Sequence, residues 1–284
     1  MISPSGPSTP KRNVAIAVVP ILLVLITFLF WYQTWFGRRL SDKDIGKYLT
    51  DISVPHRTQH ALAQLADRMA RGDTSARKWY PQVIRLAASH QSRLRVMAAW
   101  AMGQDNQAQE FHPALLKLLA DPEPMVRRNA ALALVRFGDA AGRGELRTML
   151  QPLSLLAPVA GTVKFRLKEG EPVRDGLAVA RIEPPTGEPV DVVSPVMGVL
   201  ERRAVADGAS VTVDSPVAVI APAEDQVWEA LRALYLVGRQ EDLPVVERFA
   251  RGVLGYSERL RQQATATAAA IRKRTLPQGP RNQN

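Results

Sequence analysis

Apolar and charged positions alternate in different ways along this chain, and the changes of rhythm mark its parts. Residues 13–37 carry no charge and consist largely of Val, Ile, Leu, Phe and Trp. Over residues 41–151 apolar side chains recur every three or four positions in short blocks, the period of amphipathic helices. Over 154–222 the rhythm changes to short alternating runs punctuated by Gly and Pro, which reads as strands and tight turns. Helical spacing returns over 225–274. The ends, 1–12 and 275–284, are rich in Ser, Pro, Gly, Gln and Asn and read as flexible tails. The fold class that follows is α+β and multidomain: a membrane helix, then a helical array interrupted by a small all-β unit.

The helical blocks repeat at 32 residues. Pro81-x-Val83-Ile84-x-Leu86-Ala87 matches Pro113-x-Leu115-Leu116-x-Leu118-Leu119, and Arg95-x-x-Ala98-Ala99 matches Arg127-x-x-Ala130-Ala131. A period of this size predicts stacked helix pairs, because one pair cannot bury its apolar face alone. The run from Leu115 to Leu134, with Asp121-Pro122 at its turn and Val126-Arg127-Arg128 after it, resembles the HEAT repeat. The resemblance implies that Pro113 opens a helix, Asp121 caps the turn and Val126 faces the core. It also implies that one arginine per repeat, Arg95 and Arg127, bonds the turn between paired helices. The alternative, a basic groove for nucleic acid lined by Arg93, Arg95, Arg127 and Arg128, is set aside because base-stacking aromatics are sparse.

The β segment repeats as well. Ala157-Pro158-Val159-Ala160-Gly161-Thr162-Val163 corresponds to Ser194-Pro195-Val196-Met197-Gly198-Val199-Leu200, and Val179-Ala180-Arg181-Ile182 to Val217-Ala218-Val219-Ile220. Both halves resemble the lipoyl/biotinyl-type barrel-sandwich fold. In that family the cofactor-bearing lysine sits on the hairpin joining the halves, here Glu183 to Pro189. No lysine occurs between Lys168 and Lys273, so the resemblance implies an unmodified docking module with no cofactor, as in membrane-fusion adaptors.

As a helix, residues 13–37 would rise about 37 Å, enough for a hydrocarbon core of about 30 Å. Trp31, Tyr32 and Trp35 would lie at the membrane interface, with Arg38 and Arg39 among the headgroups. No small-x-small cleavage site follows, so the span is expected to stay as a single-pass anchor in the cell (inner) membrane, with the lipid bilayer as a partner. Lys11 and Arg12 precede it; Arg38, Arg39, Lys43 and Lys47 follow. This balance leans toward a cytoplasmic body and leaves a periplasmic one open.

Formal charge is +10, carried by 29 arginines and 8 lysines against 27 acids, and there is no cysteine. That composition removes disulfides and thiolate sites and favours anionic surfaces. His56 and His60 have metal-ligand spacing without a third ligand, while His90 and His112 stand alone. Asp42 with Asp44, and Glu241 with Asp242, are placed at helix starts, where acids complement the macrodipole. Gly142-x-Gly144 lacks the third glycine and preceding strand of a dinucleotide loop. With no catalytic constellation, no metal site and no small-molecule substrate expected, the function expected is a non-enzymatic accessory or scaffold subunit of an integral membrane protein complex, preferably respiratory or photosynthetic. The alternative is a periplasmic transporter adaptor similar to membrane-fusion proteins.

Overall fold

The computed structural model describes residues 21–28 and 39–275. Residues 21–28 (α1) are helical, with Ile21, Leu22, Leu23, Val24, Leu25 and Ile26 exposed. Among the described residues no helix is long and apolar enough to cross a membrane. Most of the expected span 13–37 lies outside the described residues, together with Trp31, Tyr32, Trp35 and Arg38.

The helical part is a stack of antiparallel pairs. α2 (Asp42–Thr50) pairs with α3 (Pro55–Ala70), α4 (Tyr80–Leu86) with α5 (Ser92–Met102), and α6 (His112–Leu118) with α7 (Pro124–Arg136). α8 (Arg143–Thr148) follows, and its partner α9 (Glu224–Val237) comes only after the β segment; α10 (Leu243–Ala250) and α11 (Glu258–Thr275) form the last pair. Short 3-10 turns at Thr74–Trp79, Gln109–Phe111 and Gln240–Asp242 lead into α4, α6 and α10, a detail the apolar period does not reveal. Pro81, Pro113 and Pro244 each sit in the first turn of these helices, where an N–H has no intrahelical acceptor anyway.

Small residues let the second helices approach one another. Ala98, Ala99, Ala130, Ala131, Ala230 and Ala233 are all buried between pairs. A Cβ on Gly142 would lie 2.6 Å from the Ala131 Cα, so α8 can enter the stack only with glycine there. This accounts for half of the Gly142-x-Gly144 motif as packing. One core cluster runs from Ile45 to Leu134, with Val126 and Leu134 fully buried. A second joins Ala131 and Val135 to Leu146, Leu150, Leu231, Leu234, Phe249, Leu260 and Ile271. The stack therefore continues through α8 into α9 across the intervening strands.

Residues 153–222 form eight strands: β1 (Leu153–Leu156), β2 (Gly161–Phe165), β3 (Pro172–Val173), β4 (Ala178–Glu183), β5 (Val190–Val193), β6 (Gly198–Arg203), β7 (Ser210–Val211) and β8 (Pro216–Pro222). They make two four-stranded antiparallel sheets, ordered β1-β8-β6-β3 and β5-β4-β2-β7. Each sequence half supplies two strands to each sheet. Val163, Val179, Ile182, Leu200, Val217 and Ile220 fill the space between them. The corresponding turns at Gly176 and Asp214 both have left-handed backbone, φ 75° and 64°, so the half-repeat persists where the residue type does not.

The first and last strands, β1 and β8, are hydrogen-bonded neighbours, with Leu153 opposite Ile220. The β segment thus leaves and rejoins the helices at nearly one point. Gln226 closes that point: its Nε2 donates to Met149 O (2.7 Å), and its Oε1 accepts from Arg128 Nη1 (2.7 Å). Arg248 pairs with Glu201 of β6, and the Tyr256 hydroxyl donates to Pro222 O.

Candidate functional site

Two edges of the helical stack carry repeating polar ladders. On the edge formed by the turns within pairs, Asp51 Oδ1, Ser89 Oγ and Asp121 Oδ1 accept from the backbone N–H two residues on, at 3.1, 3.2 and 2.9 Å. Arg95 Nη1 donates to Ser89 O (2.9 Å) and His90 O (3.2 Å), while Nε and Nη2 form a fork on Asp121 at 2.7 and 2.8 Å. Arg127 repeats this one unit later, from Nη1 to Asp121 O (2.8 Å) and Pro122 O (3.1 Å) and from Nε to Glu145 (3.0 Å). Each arginine therefore ties its own turn to the next repeat. The Arg95 guanidinium holds the Asp121 carboxyl below the usual carboxylate range against the opposing effect of burial.

The turns between pairs form the opposite ladder, which the sequence reading missed. Asp73, Asp105 and Asp139 each accept from a backbone N–H two residues ahead, at 3.0, 3.0 and 2.8 Å. The second carboxylate oxygen of each is taken by Arg68 Nε (2.8 Å), the Tyr80 hydroxyl (2.5 Å) and His112 Nε2 (2.8 Å), respectively. His112 is therefore not solitary. Hydrogen bonds from Ser75, then from Arg68, hold the Asp73 carboxyl down to about 2. Burial, then the Asp105 carboxylate, pushes the Tyr80 hydroxyl up. The 32-residue step from Asp73 to Asp105, equal to the proline period, was the available signal.

Asp242 lies at a helix start, as expected, ending the 3-10 turn that leads into α10, and it is fully buried there. It accepts from Arg239 N (2.7 Å) and pairs with Arg143 Nε at 3.0 Å and Arg147 Nε at 3.7 Å. Its neighbour Glu241 stays exposed, 3.2 Å from Arg143. Asp42 faces Arg68 (2.7 Å) and Lys78.

These bonds occupy most of the chemistry that the sequence offers. Arg95 and Arg127 are committed to turns and neighbouring repeats, so neither presents a free guanidinium to a ligand. His60 Nε2 contacts Gln64 Nε2 at 2.8 Å. Among the described residues no group of three His, Cys, Asp or Glu could hold a metal ion. Arg39, the described member of the expected membrane-interface set, is exposed.

What remains open is surface. A groove of about 310 Å³ runs across α5, α7 and α9, lined by Trp100, Leu132, Arg136, Glu229, Arg232 and Leu236. Arg136 Nη1 donates to Gly103 O (2.9 Å) and Gln104 Oε1 (2.8 Å), which fixes one wall. Partial burial, then the nearby Asp225 carboxylate, raises the Glu229 pKa. Trp100 and Leu236 leave apolar area exposed on this helix face. The geometry suits docking of another chain, since it offers apolar area and charges without an enclosed cavity.

The search of curated proteins finds no match to the chain. A family model for HEAT repeats matches residues 80–152, which run from the start of α4 to the strands, and the match supports a HEAT-repeat protein.

Proposed function

We propose that this protein is a non-enzymatic accessory subunit, held at the membrane by residues 13–37, whose helical stack and β unit dock onto a larger integral membrane protein complex. A respiratory or photosynthetic assembly is the preferred host. The observation that carries this reading is the contrast between the internally bonded repeat residues and a groove that leaves apolar area at the surface. The repeat arginines and turn acids are bonded internally, while the groove at Trp100 and Leu236 keeps apolar and charged side chains at the surface. A membrane tether raises effective concentration, so a modest interface suffices to retain such a subunit.

Within this reading the β unit is a lipoyl/biotinyl-like barrel-sandwich domain without its attachment lysine. In support, each half gives two strands to each sheet, and the β4–β5 turn at 184–189 contains no lysine. That turn is also too short to hold the helical hairpin of a transporter adaptor, and helices follow the strands instead, which weighs against the alternative.

The test is recovery of the host complex in mild detergent with the tagged full-length chain, compared with Trp100→Glu/Leu236→Glu and with deletion of residues 154–222. The reading expects both variants to remain in the membrane fraction, with at least one recovering the complex poorly. Full recovery and host activity with both variants would remove docking by these surfaces, and release of the wild-type chain by carbonate would remove the anchor.

A further inference from the structure

The outer face of α2 has a charge arrangement that the helical stack does not use. Ile45 and Leu49 bury one side of this helix, and Gly46 lies close against the Trp79 ring, so its orientation on the body is set. Asp42, itself half exposed, pairs with Arg68 and Lys78. Asp44 accepts from the Ser41 hydroxyl (2.8 Å), and Asp51 accepts from Ser53 at the helix end. The opposite side presents Lys43 and Lys47, one helical turn apart, with Arg39 in the extended lead-in. All three are exposed; the Lys47 charge is felt only weakly by the Asp51 carboxyl four residues on, which is held down first by its bonds from Ser53. The short segment α1, with six exposed aliphatic side chains in sequence, precedes them by about ten residues.

An isolated cation on a surface needs no explanation. Here the acids at this helix are bonded to Arg68, Lys78, Ser41 and Ser53, the cations stand on one exposed side, and an apolar segment lies just upstream. We propose that this face of α2 rests on an anionic lipid surface, with Arg39, Lys43 and Lys47 against the headgroups, and so sets the orientation of the solenoid relative to the bilayer. The inference rests on the membrane-anchored reading and adds the lipid class and the contacting side chains. Basic residues next to a membrane segment gain from the negative surface potential, and the gain falls off within a Debye length. A protein partner on this face is the competing occupant, but it would not depend on lipid charge.

The native chain has no cysteine, so a single Thr50→Cys change on the exposed end of the same helix gives one site for an environment-sensitive dye. Labelled full-length protein is reconstituted into phosphatidylcholine vesicles with and without phosphatidylglycerol. Flotation after a carbonate wash reports the anchor, and dye emission reports the position of α2. The expected result is flotation with both vesicles, and a blue shift only with phosphatidylglycerol that is reversed near 1 M salt, where the screening length is about 3 Å. Lys43→Gln/Lys47→Gln, with unchanged circular dichroism, should reduce lipid-bound α2 on the order of twentyfold without affecting flotation. Loss of flotation would overturn the anchor itself. Flotation with emission indifferent to lipid charge, or to the two lysine changes, would overturn this inference alone.

Discussion

The helical stack and the β unit solve the same problem, joining repeated halves, by different bonds. Helices over 39–151 and 224–275 carry 26 basic and 18 acidic side chains, whereas residues 153–222 carry seven and nine. In the stack, neighbouring units are tied by partly buried charge, as in Arg95–Asp121, with side-chain exposures of 13% and 8%. In the β unit the halves are joined by strand pairing and a shared apolar core. Its ion pairs, such as Arg181–Asp191 at 2.8 Å, lie on the surface, at 43% and 34% exposure. A solenoid repeat touches only its neighbours, so each interface must be secured separately. Two sheets that exchange strands close on themselves and need no such ladder.

The comparison breaks most plainly in the cores. Phe111 is fully buried and packs against Tyr80 with ring centroids 4.4 Å apart. Phe111→Ala should cost about 3–5 kcal/mol of helical stability. Hydrogen exchange should then show lost protection in α5–α7 and retained protection in β4. Equal loss in both regions would mean that stack and β unit unfold together.

Ladder substitutions sharpen the contrast at smaller scale. Arg95→Ala leaves a mostly buried Asp121 without its fork and should cost about 2 kcal/mol in urea unfolding, short of the full cost of an uncompensated buried charge because the pair keeps some solvent contact. Arg181→Ala should cause a clearly smaller change. Similar losses from the two would remove the distinction between ladder charge and surface charge.

The smallest effect is expected in acid. The Asp73 carboxyl is held at about 2, below its ordinary 3.8, so its contribution is fully present above the unfolded value and is lost as pH falls from about 4 through about 2. Asp73→Asn should therefore be less stable than wild type near neutrality, with the difference disappearing below pH 2. A difference unchanged across that window would show that the carboxylate charge plays no part in the between-pair ladder.

The proline and alanine periods were legible because helix packing needs bulk and smallness at fixed spacings. Pro81 and Pro113 open corresponding helices, and Ala98 and Ala130 are buried at corresponding places. The Asp73–Asp105–Asp139 ladder was less legible. Its steps are 32 and 34 residues, and its partners are an arginine, a tyrosine and a histidine, so neither spacing nor residue type repeats cleanly. The Trp100–Leu236 groove could not be read at all, because α5 and α9 are separated in sequence by α6, α7, α8 and eight strands.

Local periodicity was enough to identify helix pairs, the halves of the β segment and the turns between them, since these depend on neighbours within one repeat. The destination of each charge was decided only in three dimensions. Asp242 and Glu241 are adjacent and chemically alike, yet one is buried against Arg143 and the other is exposed. The reason is physical: a carboxylate's cost and value depend on solvent and on the cation opposite it. For Asp242 that cation is Arg143, on a helix 99 residues earlier in the chain.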